Sequence, residues 1–92
     1  MAHVIRDKQK LIARVHRITG QMEAVERALT REAGCDEILR LLSSTRGAMN
    51  GLMFEVLEGF IREHVVSQPL DPASEEARTV EQLVDIVRAY LK

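Results

Sequence analysis

The chain of 92 residues has no tryptophan, one cysteine, two prolines and only three aromatic rings, those of Phe54, Phe60 and Tyr90. Leu, Val, Ile, Ala, Met and Glu are abundant instead, which favours helices and makes strands unlikely to form. A lone cysteine excludes an intramolecular disulfide, and the first residues lack the basic-then-apolar run of a secretory signal. A reducing, cytoplasmic compartment is the expectation. Charges interrupt every apolar stretch well short of the roughly 20 residues needed to cross a bilayer, so no membrane segment is expected. A Gly-rich phosphate loop, G-x-S-x-G and H-E-x-x-H are all missing, so neither an enzyme nor an organic cofactor is expected.

What is present reads as three helices in one domain covering residues 1–92. Leu11, Val15, Ile18, Met22, Val25 and Leu29 are spaced 4-3-4-3-4, one apolar stripe on a helix from about residue 5 to 31. Gly34 is expected to break it, and Asp36 and Glu37 supply the negative first turn of a second helix that begins at Cys35. That helix runs to about residue 66 through Ile38, Leu41, Leu42, Met49, Leu52, Val56 and Phe60. Gly47, Gly51 and Gly59 lie inside it, and because glycine costs about 1 kcal/mol relative to alanine there, close backbone approach is expected to compensate. Pro69 and Pro72 mark a connector at 67–72. Ala77, Val80, Val84, Val87 and Leu91 then define a C-terminal helix behind Ser74. The short loop makes the first two helices a long antiparallel hairpin, and so small a domain makes oligomerisation an expectation.

The total charge of −1 conceals an asymmetry: in the first twenty residues Arg6, Lys8, Lys10, Arg14 and Arg17 oppose only Asp7, leaving the remainder acidic. Arg6, Lys10, Arg14 and Arg17 fall within one quadrant of a helix, apart from the apolar stripe. Arg46, midway along the second helix, could extend this basic line, and His16 lies within it. Such a face suits phosphate contacts, with double-stranded DNA as partner. No short helix-turn-helix unit is visible, so a flat helical surface would do the binding. The competing reading is a helical interaction module without DNA binding, its cations paired with a neighbour's acidic helix.

Cys35 and His64 stand at opposite ends of the second helix, roughly 43 Å apart at 1.5 Å per residue, while the hairpin brings His3 near His64. They cannot share a ligand within one chain. If two hairpins pair antiparallel about a two-fold axis, Cys35 of one meets His3 and His64 of the other. A thiolate with imidazoles suits a borderline-soft metal such as nickel, cobalt, zinc or copper. Alternatively, a thiol beside an amine can be bridged by an aldehyde, and removal of Met1 would give Ala2 that amine.

The runs His3-Val4-Ile5-Arg6-Asp7-Lys8-Gln9-Lys10-Leu11, Arg17-Ile18-Thr19-Gly20-Gln21, Cys35, Arg46-Gly47-Ala48-Met49-Asn50-Gly51-Leu52-Met53 and Val87-Arg88-Ala89-Tyr90-Leu91-Lys92 resemble the CsoR/RcnR family of repressors. The resemblance spans nearly the whole chain. It implies an all-α, three-helix protomer in a dimer-of-dimers homotetramer that binds operator DNA through Arg14, Arg17, Arg46 and Lys10, and is released by an effector. His3, Cys35 and His64 look like a nickel/cobalt site, with Ni(II) or Co(II) as effector. Val25-Glu26-Arg27-Ala28-Leu29 and the ending from Val87 look like the formaldehyde sensors, which would use Ala2 and Cys35. A second cysteine near position 64, expected of copper and persulfide sensors, is missing. Phe60 stands where both remaining groups usually carry histidine, which takes one imidazole from the metal set.

Overall fold

In a computed structural model the described residues are 2–65 and 70–91, the side chains of residues 2, 3 and 65 excepted. Four α-helices follow in order: α1 (Ala2–Arg6), α2 (Lys8–Thr30), α3 (Cys35–Phe60) and α4 (Glu75–Tyr90), with a π-helical turn (Ile61–Val65) prolonging α3. The all-helical reading, with a long antiparallel hairpin and a C-terminal helix, is what the structure has. Two details differ. The first helix is interrupted at Asp7, whose φ of −99° and ψ of 15° leave the helical region. The second helix widens at Ile61 rather than running on as α-helix.

Gly34 is not the residue that turns the chain. Glu32 is, with a φ of 59°. Its N–H donates to Leu29 O (3.1 Å), and the N–H of Ala33 donates to Ala28 O (2.9 Å). This pair of bonds closes α2 in a Schellman motif, with glutamate in the left-handed position that glycine normally takes. Gly34 is extended and caps α3. A Cβ there would lie 2.8 Å from Asp36 Oδ1, so glycine leaves room for the acidic first turn. An Arg31–Glu37 ion pair spans the loop. At α4, Ser74 Oγ accepts from the Ala77 N–H at 3.1 Å, satisfying one of the free donors of the first turn.

The tertiary contact is mainly that of α2 with α3. Ile18, Val25 and Ala28 of α2 are buried, along with Thr45, Ile61 and Val84. The predicted stripe is only half covered, because Val15, Met22 and Leu29 remain 44%, 47% and 58% exposed. At about 100° per residue, α3 sits over the border between that stripe and the line of Lys10, Arg14 and Arg17. The other half of the stripe faces outward beside Leu42, Met49, Met53 and Val56 of α3, all partly exposed. The chain is correspondingly drawn out to 55 × 25 × 14 Å, with a radius of gyration of 17.4 Å against about 12 Å for a compact domain of this length.

The glycine expectation also changes. Gly47 has nothing within 4 Å of where a Cβ would be, and Gly51 meets the Arg14 guanidinium at 3.1 Å rather than another backbone.

A glutamate in the left-handed region costs roughly 1 kcal/mol that glycine does not pay. Glu32→Gly is therefore expected to stabilise the fold by about 0.5–1 kcal/mol, net of glycine's extra unfolded-state entropy. Chemical denaturation at fixed protein concentration measures it, and a loss of stability would contradict the assignment of Glu32 as the turning residue.

Candidate nucleic-acid interface and effector corner

Lys10, Arg14 and Arg17 recur at i, i+4 and i+7 along α2, within about 60° of one another. They lie along the edge of the α2/α3 seam. Gln21, next on the same line, donates from Nε2 to Ser44 Oγ at 3.3 Å. Two to three turns earlier along α2, Glu55 of α3 meets two cations with one carboxylate: Oε2 lies 3.3 Å from Lys10 Nζ and Oε1 lies 3.2 Å from Arg14 Nη2. Arg14 is thus half-buried, lying over Gly51, whereas Arg17 is exposed. Among the described residues no carboxylate pairs with Arg17 or Arg46.

The basic line is shorter than the sequence suggested. Arg6 belongs to α1, beyond the interruption, and its Nε lies 3.6 Å from Asp7. Arg46 does not extend the line within one chain, because nine residues separate it from Glu55, placing the two on opposite sides of α3 at about 100° per residue. It lies with Leu39, Leu42 and Ser43 on the open apolar side. His16 is exposed.

Cys35 is an exposed free thiol at the first position of α3. His64 is in the π-helical turn at the far end of the hairpin, its ring 4.6 Å from that of Phe60 and its Nε2 3.9 Å from Glu63 Oε1. The 29 positions between Cys35 and His64 put them on the order of 40 Å apart. No group of three His, Cys, Asp or Glu among the described residues could hold a metal ion. The backbone of α1 packs against α3. The side chains of Ala2 and His3, assigned to this corner from sequence, lie outside the described residues.

Two residues that sequence reasoning missed organise these regions. Glu55 is one. Arg62 is the other, donating from Nη1 to Glu81 of α4 (2.9 Å) and from Nη2 to Glu58 (3.3 Å). The Glu81 hydrogen bond, outweighing partial burial and helped by Glu58, holds its guanidinium above the ordinary value. Arg88 completes the attachment of α4, its Cζ 4.9 Å from the Phe54 ring centre. Only the i, i+4 spacing of Glu58 and Arg62 was visible beforehand; the partners across the fold were not.

The described residues thus form a flat helical hairpin with cations along one seam and a free thiol at one end. Residues 7–89 match the family described as metal-sensitive transcriptional repressor, and the chain belongs to that family. It is 47% identical, over the full length of both chains, to an uncharacterised protein from the bioA 5′ region of Serratia marcescens. It is 42% identical, again with complete coverage of both, to the transcriptional repressor RcnR of Salmonella paratyphi B. Among solved structures it is similar to a variant of the formaldehyde-responsive regulator FrmR from Salmonella enterica serovar Typhimurium, at 40% identity and a TM-score of 0.63, covering 92% of this chain and 94% of that one. The protein is a transcriptional repressor of the RcnR/FrmR family and not an enzyme, which sets aside the interaction module without DNA binding. None of its described helices is long and apolar enough to cross a membrane.

Arg62 is 44% exposed, so its two pairs are screened and contribute modestly. Arg62→Met, which keeps the aliphatic stem, is expected to cost about 1 kcal/mol or less. Amide exchange in α4 should accelerate while α2 is unchanged; equal loss of protection in both helices would argue against a local clasp.

Proposed function

We propose that this repressor binds operator DNA as a dimer of dimers through Lys10, Arg14, Arg17 and Arg46, and that an effector bound between subunits at Cys35 releases it. The observation that carries this reading is the separation of Cys35 from His64 along a hairpin whose apolar stripe is half uncovered. A ligand set containing both needs a second chain, and the exposed Val15, Met22, Leu42, Met49 and Met53 supply the apolar face on which one could dock. An antiparallel partner would bring its own His3 and His64 to Cys35. It would also offer its own basic line to Arg46.

The effector assigned to this site is Ni(II) or Co(II), held by the Cys35 thiolate and the imidazoles of His3 and His64, a donor set that suits a borderline-soft divalent metal. A second reading rests on Phe60. Its ring fills a position against His64 without offering a donor, whereas condensation of formaldehyde with the Ala2 amine and the Cys35 thiol needs no further ligand. That reaction forms N–CH2–S and releases water.

Operator affinity should fall steeply with salt, and each phosphate-contacting cation removed should flatten the slope of log K against log salt by about 0.9 per site. Arg14→Ala is expected to weaken binding accordingly in titrations of the DNA upstream of the gene; binding insensitive to both changes would sink the reading. With Ni(II) or Co(II), a thiolate charge-transfer band lost in Cys35→Ala marks metal sensing. A mass gain of one carbon, with loss of thiol reactivity, marks formaldehyde.

A further inference from the structure

We infer that Glu55 competes with the operator's phosphates for Lys10 and Arg14, and so sets how tightly the repressor holds DNA. The inference rests on reading those two cations as phosphate contacts. Glu55 presents one carboxylate oxygen to each, at 3.3 and 3.2 Å. An anion in that position occupies the geometry a phosphate would take, bridging two cations one helical turn apart. Gly51, one turn before Glu55 on α3, makes the arrangement possible: a Cβ there would crowd Arg14 Nη1 at 3.1 Å, and its absence lets the guanidinium lie down on α3 towards the carboxylate.

The cost to DNA binding is electrostatic. Two cations and one carboxylate present a single net positive charge at this end of the seam, and a phosphate approaching Arg14 meets the Glu55 carboxylate close by. Arg17, one turn further along the same line, is exposed and has no carboxylate partner among the described residues. The seam therefore has one end whose cations are engaged and another whose cation is open. Lys10, with its side chain 61% exposed, can swing from Glu55 to a phosphate by rotating its stem; Arg14, at 32%, must leave the groove over Gly51. Both movements exchange an internal pair for a DNA pair, so they subtract from the binding energy without altering the contacts finally made.

The test is operator binding by the full chain over a range of salt concentrations. Glu55→Gln keeps the shape and a hydrogen-bond acceptor for Arg14 but removes the charge. It is expected to tighten operator binding roughly three- to thirtyfold per protomer, the range covered by two exposed pairs, and to steepen the salt slope by about 0.9 per site. Glu58→Gln removes the same charge one turn away, from the pair with Arg62, and is expected to change binding much less. In a Lys10→Ala/Arg14→Ala background, Glu55→Gln should have little effect. If Glu55→Gln loses helicity, Glu55→Asp, which withdraws the carboxylate by one methylene, should give a smaller gain of the same sign.

Equal effects of Glu55→Gln and Glu58→Gln would overturn the inference in favour of general charge. So would unchanged or weaker binding by a folded Glu55→Gln, with the functional reading intact if the wild-type protein still loses affinity steeply with salt. If Lys10→Ala and Arg14→Ala leave operator binding untouched, both the inference and the assignment of those residues fall.

Discussion

The seam between α2 and α3 governs the rest of the molecule, because α3 lies over the border between two chemically different strips of α2. On one side of the border are Lys10, Arg14, Arg17 and Gln21; on the other are Val15, Met22 and Leu29. A helix centred on the apolar stripe would have buried all three of those residues and left the cations isolated on the outer surface. Centred where it is, α3 buries Ile18, Val25 and Ala28, reaches Arg14 with Glu55 and Gln21 with Ser44, and leaves an apolar face without cover. Polar pairing along one edge and unfinished hydrophobic burial along the other are consequences of a single packing angle.

Unfinished burial gives the isolated chain a thin core. Five apolar residues and Thr45 are buried among those described, and the accessible surface of 6892 Å² exceeds the roughly 5,400 Å² of a compact monomer of this mass. Apolar area left in water is the largest reserve of association energy that the fold holds, at about 25 cal/mol per Å² covered. The same elongation keeps Cys35 and His64 apart. The proposed sensing site, which would draw on both ends of the hairpin, and the uncovered apolar face are thus two aspects of one geometry, and either would draw chains together in the same antiparallel sense.

At the far end, the π-helical turn and the Arg62 clasp hold α4 against the end of α3. Between α3 and α4 an open apolar trough of about 800 Å³, lined by Met53, Val56, Leu57, Phe60, Val87 and Tyr90, continues the uncovered face. Phe60 borders both this trough and His64. That ring therefore ties the histidine to the apolar surface.

The order of the long helices, the acidic start of α3 at Cys35, the start of α4 behind Ser74 and the cations of α2 were legible in the sequence, because helical periodicity and capping act within a few residues, whereas the break at Asp7 and the π-helical turn at Ile61 were not. The limit on Cys35 and His64 was legible for the same reason: helix length follows from residue count. The partner of each charge was not. Glu55 is 45 residues from Lys10 and 41 from Arg14, and nothing local distinguishes it from Glu58, which turns instead to Arg62. Gly34 looked like the turning residue because glycine usually is, yet the Schellman bonds fell two residues earlier and placed Glu32 in the left-handed position. Arg46 shares a level with the basic line but not a side, a distinction set by the rotation of α3 about its own axis. Composition and spacing determine which strips a helix carries; how far each helix turns towards its neighbour is decided by the packing of whole surfaces, and here that rotation chose which cations are paired and which apolar residues stay uncovered.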